Sequence, residues 1–333
     1  MPKALLARSF KEEDGKEAAT EVIAKGLVRK IVTPNGMRYE ITDAGWQFVK
    51  EYEALIADLG GNASKFLVDS NHLTTEKPRL LASLQLRPEQ IGLMSDLRTL
   101  RLQYEVMKPE IGVVVPTRNE VSTIGNILVK LPQYMQYPWQ CLVVDASDDG
   151  TRLVAAKHGV GVLIQRGKGK GSALRQAFCA LDSDIVVVMD GDGCMQAKEI
   201  PRFVEALVSG ADMAKGSRFL RGGGSTDLTF IRKIGNLLFV ALVNLIWSGT
   251  YTDLCYGFLA FRRVALERLR PYLKSSHFQI ETEICIRAKK LGLRVVEVPS
   301  MELKRTHGET KLSGMSCSLQ ILRVILHELV SRS

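Results

Sequence analysis

The chain has no apolar run of about 18 residues or more, so the sequence predicts no bilayer-spanning helix. Six cysteines (Cys141, Cys179, Cys194, Cys255, Cys285 and Cys317) form no C-x-x-C pair and have no close histidine spacing. That argues against both a disulfide framework and a zinc site and fits a reducing compartment. The opening MPKALLARSFKEEDGK has acidic residues and no apolar stretch of leader length, so no secretory leader is expected. The phosphate-loop pattern G-x-x-x-x-G-K-S/T is also missing, which excludes a P-loop nucleotidase. The first 105 residues lack a charge excess, with 15 basic and 15 acidic side chains. The whole net charge of +9 therefore lies in the remainder, which carries 30 basic and 21 acidic residues. Such an excess fits nucleic acid, an anionic membrane or a phosphorylated substrate, and charge alone does not separate them. At 333 residues, 46% apolar and 24% charged, the chain is an ordinary globular protein with one large and one smaller domain or two medium ones.

The first sixty residues form a compositional unit. Residues 17–25 read as a helix stopped by Gly26, and 27–33 and 37–42 alternate like strands about the turn Pro34-Asn35-Gly36. Thr42 or Asp43 then caps a helix to about Leu59, with Trp46, Val49, Tyr52 and Leu55 on one face. The stretch GLVRKIVTPNGMRYEITDAGWQFVKEYEAL resembles the wing and last helix of winged-helix domains. That resemblance implies DNA contact through Arg29, Lys30 and Arg38, whereas the zero net charge favours a packing or homodimerisation module. Residues 1–61 are accordingly expected to be a winged-helix-like module and 62–108 a helical connector, with 109–333 a third segment.

From residue 111 strand and helix signals alternate. Strands are expected at 111–115, 141–144, 160–165 and 185–189, and helices at 122–130, 150–157, 171–181 and 198–209. The rhythm implies βαβ units and a mostly parallel α/β sheet covered on both faces. The ends of parallel strands share one edge, where ligands bind in open α/β sheets. Each of these ends is rich in polar residues, glycine or proline: Pro116-Thr117-Arg118-Asn119-Glu120, Asp145-Ala146-Ser147-Asp148-Asp149, Arg166-Gly167-Lys168-Gly169-Lys170-Gly171 and Asp190-Gly191-Asp192-Gly193. Asp190 and Asp192, one residue apart, suit Mg²⁺ or Mn²⁺ bridging to a diphosphate, or form a polar turn closing a core strand. Lys168 and Lys170, in a glycine-rich loop leading into a helix, suit a phosphate. Asp145 can accept from a pyrimidine imide or a ribose hydroxyl.

VVVPTRNE, VVDASDDGT, RGKGKGSALRQA, VVMDGDG and KGSRF stand in the order found in family 2 glycosyltransferases of the GT-A fold, which residues 110–315 resemble. Within that family the resemblance is nearest to dolichol-phosphate mannose synthases and archaeal dolichol-phosphate hexosyltransferases of N-glycosylation. It is carried further by Arg232-Lys233-Ile234-Gly235-Asn236, Asp253-Leu254-Cys255-Tyr256-Gly257-Phe258, FQIETEICIRAKKLGLRVVEVP and Lys304-Arg305-Thr306-His307-Gly308. The resemblance implies that Pro116, Glu120, Asp145, Lys168 and Lys170 face a nucleotide and that Asp190 and Asp192 hold Mg²⁺ or Mn²⁺. Arg218, Arg232 and Arg305 would surround the donor diphosphate and the acceptor phosphate. Family members often carry Gln two residues after the second aspartate; here that position is Cys194, leaving coordination to water or Gln196.

The implied reaction is inverting transfer of a hexose from a nucleoside-diphosphate sugar, UDP slightly preferred over GDP, to a polyprenyl phosphate. A phosphate oxygen is already ionised, so the site needs orientation and charge balance rather than an obligate base. Glu281 reads equally as a catalytic orienter or a helix-terminal acid, and Glu283 as the latter. The 14-residue run 234–247 and the C-terminal SLQILRVILHELV suit either a core or a membrane interface. The resemblance points to the interface and hence to a cytoplasmic enzyme peripheral to the membrane's cytoplasmic face. A family 2 enzyme with a soluble acceptor such as phosphoglycerate, and a DNA-binding regulator with a degenerate transferase domain, are the competing expectations.

Overall fold

The computed structural model describes residues 20–33, 36–59, 108–305 and 314–331. The chain divides into two compact units, Met1–Lys108 and Pro109–Ser333. In the first, the hairpin β1 (Val28–Thr33) and β2 (Gly36–Ile41) pairs antiparallel, Val28 opposite Ile41 and Thr33 opposite Gly36. Pro34 and Asn35 of the expected turn lie outside the described residues, as does the expected connector over 62–107. Helix α1 (Asp43–Leu59) starts where the Thr42 hydroxyl accepts from Gly45 N at 3.1 Å, which settles the cap on Thr42. Trp46, Val49 and Tyr52 are buried as its periodicity predicts, together with Val22, Val28 and Ile41. Arg29 pairs with the buried Glu40 at 2.5 Å. The side chains of Lys30, Arg38 and Leu55 fall outside the described residues.

The second unit holds a seven-stranded sheet built from β3 (Ile111–Thr117), β4 (Trp139–Asp145), β5 (Gly161–Ile164), β6 (Ile185–Val188), β7 (Met213–Ser217), β9 (Leu259–Arg262) and β10 (Val295–Pro299). Its order is β10-β7-β9-β6-β3-β4-β5. The sheet is mostly parallel, and every residue of β6 is buried, as its β-branched run requires when both faces are covered. Helices α2 (Val121–Lys130), α3 (Thr151–Lys157), α4 (Lys170–Ala180) and α5 (Ile200–Val208) fall within one or two residues of the expected positions.

The sequence pattern did not reveal β9, which runs antiparallel between β6 and β7 with Leu259 opposite both Val188 and Lys215. That reversal matters for function. The start of an antiparallel strand lies beside the ends of its neighbours, so the 253–258 segment comes to the edge where β6 delivers Asp190 and Asp192. Strands β7 and β10 run the same way as β6, so residues 218 and 300–305 reach that edge too. There β8 (Gly224–Ser225) pairs with β11 (Met301–Glu302).

Helices α6 (Phe230–Trp247), α7 (Arg263–Leu269), α8 (Ile280–Lys290) and α9 (Gly314–Val330) complete the unit. The apolar run 234–247 is the larger part of α6, but the helix begins earlier, at Phe230 after the Thr229 cap. At 18 residues, about 27 Å at 1.5 Å per residue, and a mean hydropathy of 1.5, α6 is longer than the run itself and, by length and composition only, sufficient to cross a membrane. It is two-sided. Asn236, Val240 and Val243 are buried against the protein, whereas Leu238 and Leu245 are 65% and 82% exposed. α9 likewise buries Ile321 and Ile325 and exposes Leu319, Leu322, Leu326, Leu329 and Val330. Buried Glu328 ties α9 to α8 through Arg287 at 2.7 Å and Lys290 at 3.2 Å.

Candidate active site

The loops after β3 and β4 are stitched together. Asn119, with a left-handed φ of 57°, donates from its N to Ser147 Oγ at 2.7 Å and accepts from Asp148 N at 3.1 Å. Glu120 N donates to Thr151 Oγ1 at 2.9 Å. Asp145, at the end of β4, is fully buried. Its Oδ1 accepts from Thr117 Oγ1 at 2.7 Å and Ser147 Oγ at 2.5 Å; its Oδ2 accepts from Ser147 N at 3.2 Å and pairs with Arg152 at 3.2 Å. It is the hub that fixes Thr117, Ser147 and Arg152 at the end of β4.

The glycine–lysine loop after β5 packs under residues 275–277. A Cβ on Gly169 would stand 2.5 Å from Ser276 O, and one on Gly171 2.2 Å from Ser275 O, so only glycine admits that approach. Glu283 holds this overlying segment, accepting from Lys274 N at 3.0 Å and Ser275 N at 2.9 Å. Lys168 is exposed on the loop. Lys170 is not: its Nζ is buried between Asp190 Oδ1 at 2.5 Å and Glu281 Oε1 at 2.7 Å. Burial opposes its charge, but the two carboxylates outweigh that and raise its pKa. Gly257 closes over this pair, since a Cβ there would lie 2.2 Å from Lys170 Nζ.

After β6, Gly191 passes so close to Thr117 that a Cβ would meet its Cγ2 at 2.7 Å, and Thr123 Oγ1 donates to Gly191 O at 2.6 Å. The flanking aspartates therefore have a fixed backbone. Burial pushes the Asp190 carboxyl up to about 6, helped by Asp192 and Glu281 and opposed by Lys170. Asp192 Oδ2 meets Arg305 Nη2 at 2.5 Å, and its Oδ1 accepts from Cys194 N at 3.0 Å. Two hard carboxylates at one strand end, each already matched by a positive side chain, fit Mg²⁺ or Mn²⁺ in donor chemistry. Among the described residues no three His, Cys, Asp or Glu side chains converge on one cation position. A cation there would draw its remaining ligands from substrate oxygens and water. Cys194 adds no ready thiolate, because burial and then Asp192 hold its thiol well above the ordinary range. Gln196 is turned to Met301 O at 3.3 Å.

The three arginines have different surroundings. Arg218 is buried in a forked pair with Asp253, 2.7 and 3.0 Å, reaches Glu302 at 3.1 Å and stacks 5.0 Å over the Tyr256 ring. Its donors thus hold the 253–256 turn, which Glu297 and Asn236 also grip: Glu297 accepts from Thr252 N at 2.9 Å and Asn236 Oδ1 from Leu254 N at 3.0 Å. Arg232 stands half-buried in the first turn of α6. Burial and then Glu281 push up the Cys317 thiol on α9, and Arg232 opposes them; helices α6, α8 and α9 pack against one another. Arg305 follows β11 and reaches back to Asp192. Sequence reasoning missed the parts of Asp253, Glu302, Asn236 and Gly257. For Asp253 and Gly257 the signal was the polar and glycine content of 253–258; the parts of Asn236 and Glu302 are set by partners distant in the chain.

The model of Glycosyl transferase family 2 matches residues 112–270. A dolichyl-phosphate hexose transferase of Haloferax volcanii is 30% identical over 223 residues, covering 66% of this chain and 95% of that protein. The chain belongs to glycosyltransferase family 2. It is a glycosyltransferase, and the matched span runs from β3 through α7, taking in Asp145, Lys170, Asp190, Asp192, Arg218 and Arg232. A dolichol-phosphate mannosyltransferase of Pyrococcus furiosus is 33% identical over 215 residues, 62% of this chain and 60% of that one. Among solved structures, glucosyl-3-phosphoglycerate synthase from Mycobacterium tuberculosis with Mn²⁺, UDP and glucosyl-3-phosphoglycerate superposes with a TM-score of 0.54. The two are 23% identical over 68% of this chain and 81% of that one. That similarity supports the GT-A architecture of this family 2 member.

Proposed function

We propose that this glycosyltransferase moves a hexose from a nucleoside-diphosphate sugar to a polyprenyl phosphate at a membrane surface, with a divalent cation on Asp190 and Asp192. The observation that carries the reading is where the site lies. Arg232 opens α6, Asn236 of that helix holds the 253–258 turn at the edge through Leu254 N at 3.0 Å, and α6 and α9 both expose leucines, so the edge proposed to take the phosphates adjoins two amphipathic faces. An acceptor with a phosphate head and an apolar tail fits that junction better than a soluble phosphoglycerate. The basic excess of residues 106–333 favours anionic headgroups, in keeping with a peripheral enzyme on the cytoplasmic face. The names of the Haloferax and Pyrococcus relatives point to the same acceptor class.

In the reaction the bond between the anomeric carbon and the β-phosphate oxygen breaks, and its electron pair leaves with the diphosphate. An ionised acceptor-phosphate oxygen forms the new bond from the opposite face, inverting the carbon. No proton must be removed, which agrees with Glu281 being committed to Lys170. When bound, the cation supplies Lewis-acid neutralisation of the leaving diphosphate. The chain's own part is to hold Asp190 through Lys170, to offer Lys168, Arg232 and Arg305 to phosphates, and to fix the 253–258 turn through Arg218. Pro116, Glu120 and the Asp145 hub would shape the nucleotide pocket.

The test is transfer of label from UDP- and GDP-sugars to short-chain dolichyl or undecaprenyl phosphate with Mn²⁺ or EDTA. Metal-dependent label in the organic phase is expected; label confined to donor hydrolysis or a water-soluble product overturns the lipid acceptor. Asp192→Asn should lower transfer at least about 100-fold, while thermal unfolding shifts little, since a partly exposed ion pair contributes about 0–1 kcal/mol. Unchanged turnover would remove the metal assignment.

A further inference from the structure

The two aspartates carry counter-ions of unequal permanence. Lys170 is locked in place. Its side chain is 6% exposed, its Nζ lies 2.5 Å from Asp190 and 2.7 Å from Glu281, and Gly257 packs against it too closely for a methyl group. Withdrawing that ammonium would open a buried, partly unpaired carboxylate pair, a costly change. Arg305 is placed otherwise. It stands three residues beyond β11, its side chain is 21% exposed, and it meets Asp192 Oδ2 at 2.5 Å. The other oxygen of Asp192 accepts from Cys194 N in its own turn, so the carboxylate stays aimed when the guanidinium leaves. Swapping a guanidinium for a divalent cation also keeps Asp192 neutralised, and a planar fork released beside the site is suited to phosphate.

We propose that Arg305 is an exchangeable counter-ion: it holds Asp192 until a divalent cation takes that carboxylate, and the displaced guanidinium then binds a substrate phosphate. This rests on the reading that Asp190 and Asp192 hold the cation. It makes Arg305 an ordering residue, which strengthens phosphate binding only once the metal has entered. Lys170 stays on Asp190 throughout. The phosphate belongs either to the donor diphosphate or to the acceptor, and the experiment distinguishes them.

Binding of Mn²⁺ to the full chain, followed by electron paramagnetic resonance without sugar or acceptor, reads the exchange directly. Arg305→Gln should bind Mn²⁺ about three- to fivefold tighter than the parent, the size of one partly exposed ion pair. Arg305→Lys, which keeps the charge but loses the fork, should fall between. Lys233→Gln removes the same charge from the exposed first turn of α6 and should change the affinity less than about twofold, because screening weakens distant charges. In a second measurement, Mg²⁺ should tighten binding of farnesyl phosphate, of UDP or GDP, or of both, and Arg305→Gln should lose the Arg305-dependent part of that increment. Loss confined to farnesyl phosphate assigns the guanidinium to the acceptor; loss confined to the nucleotide assigns it to the donor. Equal or weaker Mn²⁺ binding by Arg305→Gln overturns the exchange. A parent chain that binds no Mn²⁺ even with UDP or GDP overturns the underlying metal reading instead.

Discussion

At the residue scale, the site is made of charges that satisfy one another before any substrate arrives. Asp253 shows the energetic consequence. Burial alone would raise its carboxyl, but the hydrogen bonds and charge of Arg218 outweigh that and hold it below the ordinary carboxylate range. Its contribution to stability is therefore complete above the unfolded value of about 4 and lost as the pH falls through the lower folded value. Asp253→Asn removes the forked carboxylate of buried Arg218, leaving it Glu302 at 3.1 Å, and should cost about 3–5 kcal/mol, read by urea unfolding at neutral pH. The same variant should lose less further stability below about pH 4 than the parent does. Equal acid sensitivity in both would show that Asp253 is not one of the groups governing the acid limb.

At the scale of elements, the proposed function rests on antiparallel β9 and on the outer faces of α6 and α9. The reversed strand brings the 253–258 turn beside Asp190, and Gly257 seats it on the Lys170–Glu281 pair. Leu238 and Leu245, seven residues apart on one face of α6, are exposed and so contribute little to the folded core. Replacing both with Asp should leave the melting temperature nearly unchanged. Sedimentation with anionic phospholipid vesicles should fall at least about tenfold, since each leucine contributes up to about 1.5–3 kcal/mol when taken from water. A large drop in melting temperature would instead show this face packed against protein.

For the molecule as a whole, the family match begins at residue 112, and the second unit has its own sheet and core. A chain of residues 109–333 should fold alone and keep metal-dependent transfer within about threefold of the full chain, because independent units add. We propose that the first unit, of no net charge to residue 105, serves association between copies rather than DNA binding. Sedimentation should give twice the monomer mass for the full chain and the monomer mass for 109–333, and a full chain that sediments as a monomer would remove the dimerisation proposal.

By itself the sequence determined the α/β alternation, the four polar strand ends and the carboxylate pair. These follow from local signals: β-branched runs, glycine at sharp approaches and aspartates placed one residue apart. It also determined that 234–247 and the C-terminal helix are apolar enough for an interface. Only the tertiary structure decided what those residues touch. Lys170 and Arg218, legible as cations, became the partners of Glu281 and Asp253, residues 111 and 35 positions away. Asp145, legible as an acceptor, became a buried hub. Antiparallel β9 was hidden because four residues carry too little periodicity to show a direction, and the direction of a strand is set by the neighbours with which it shares hydrogen bonds.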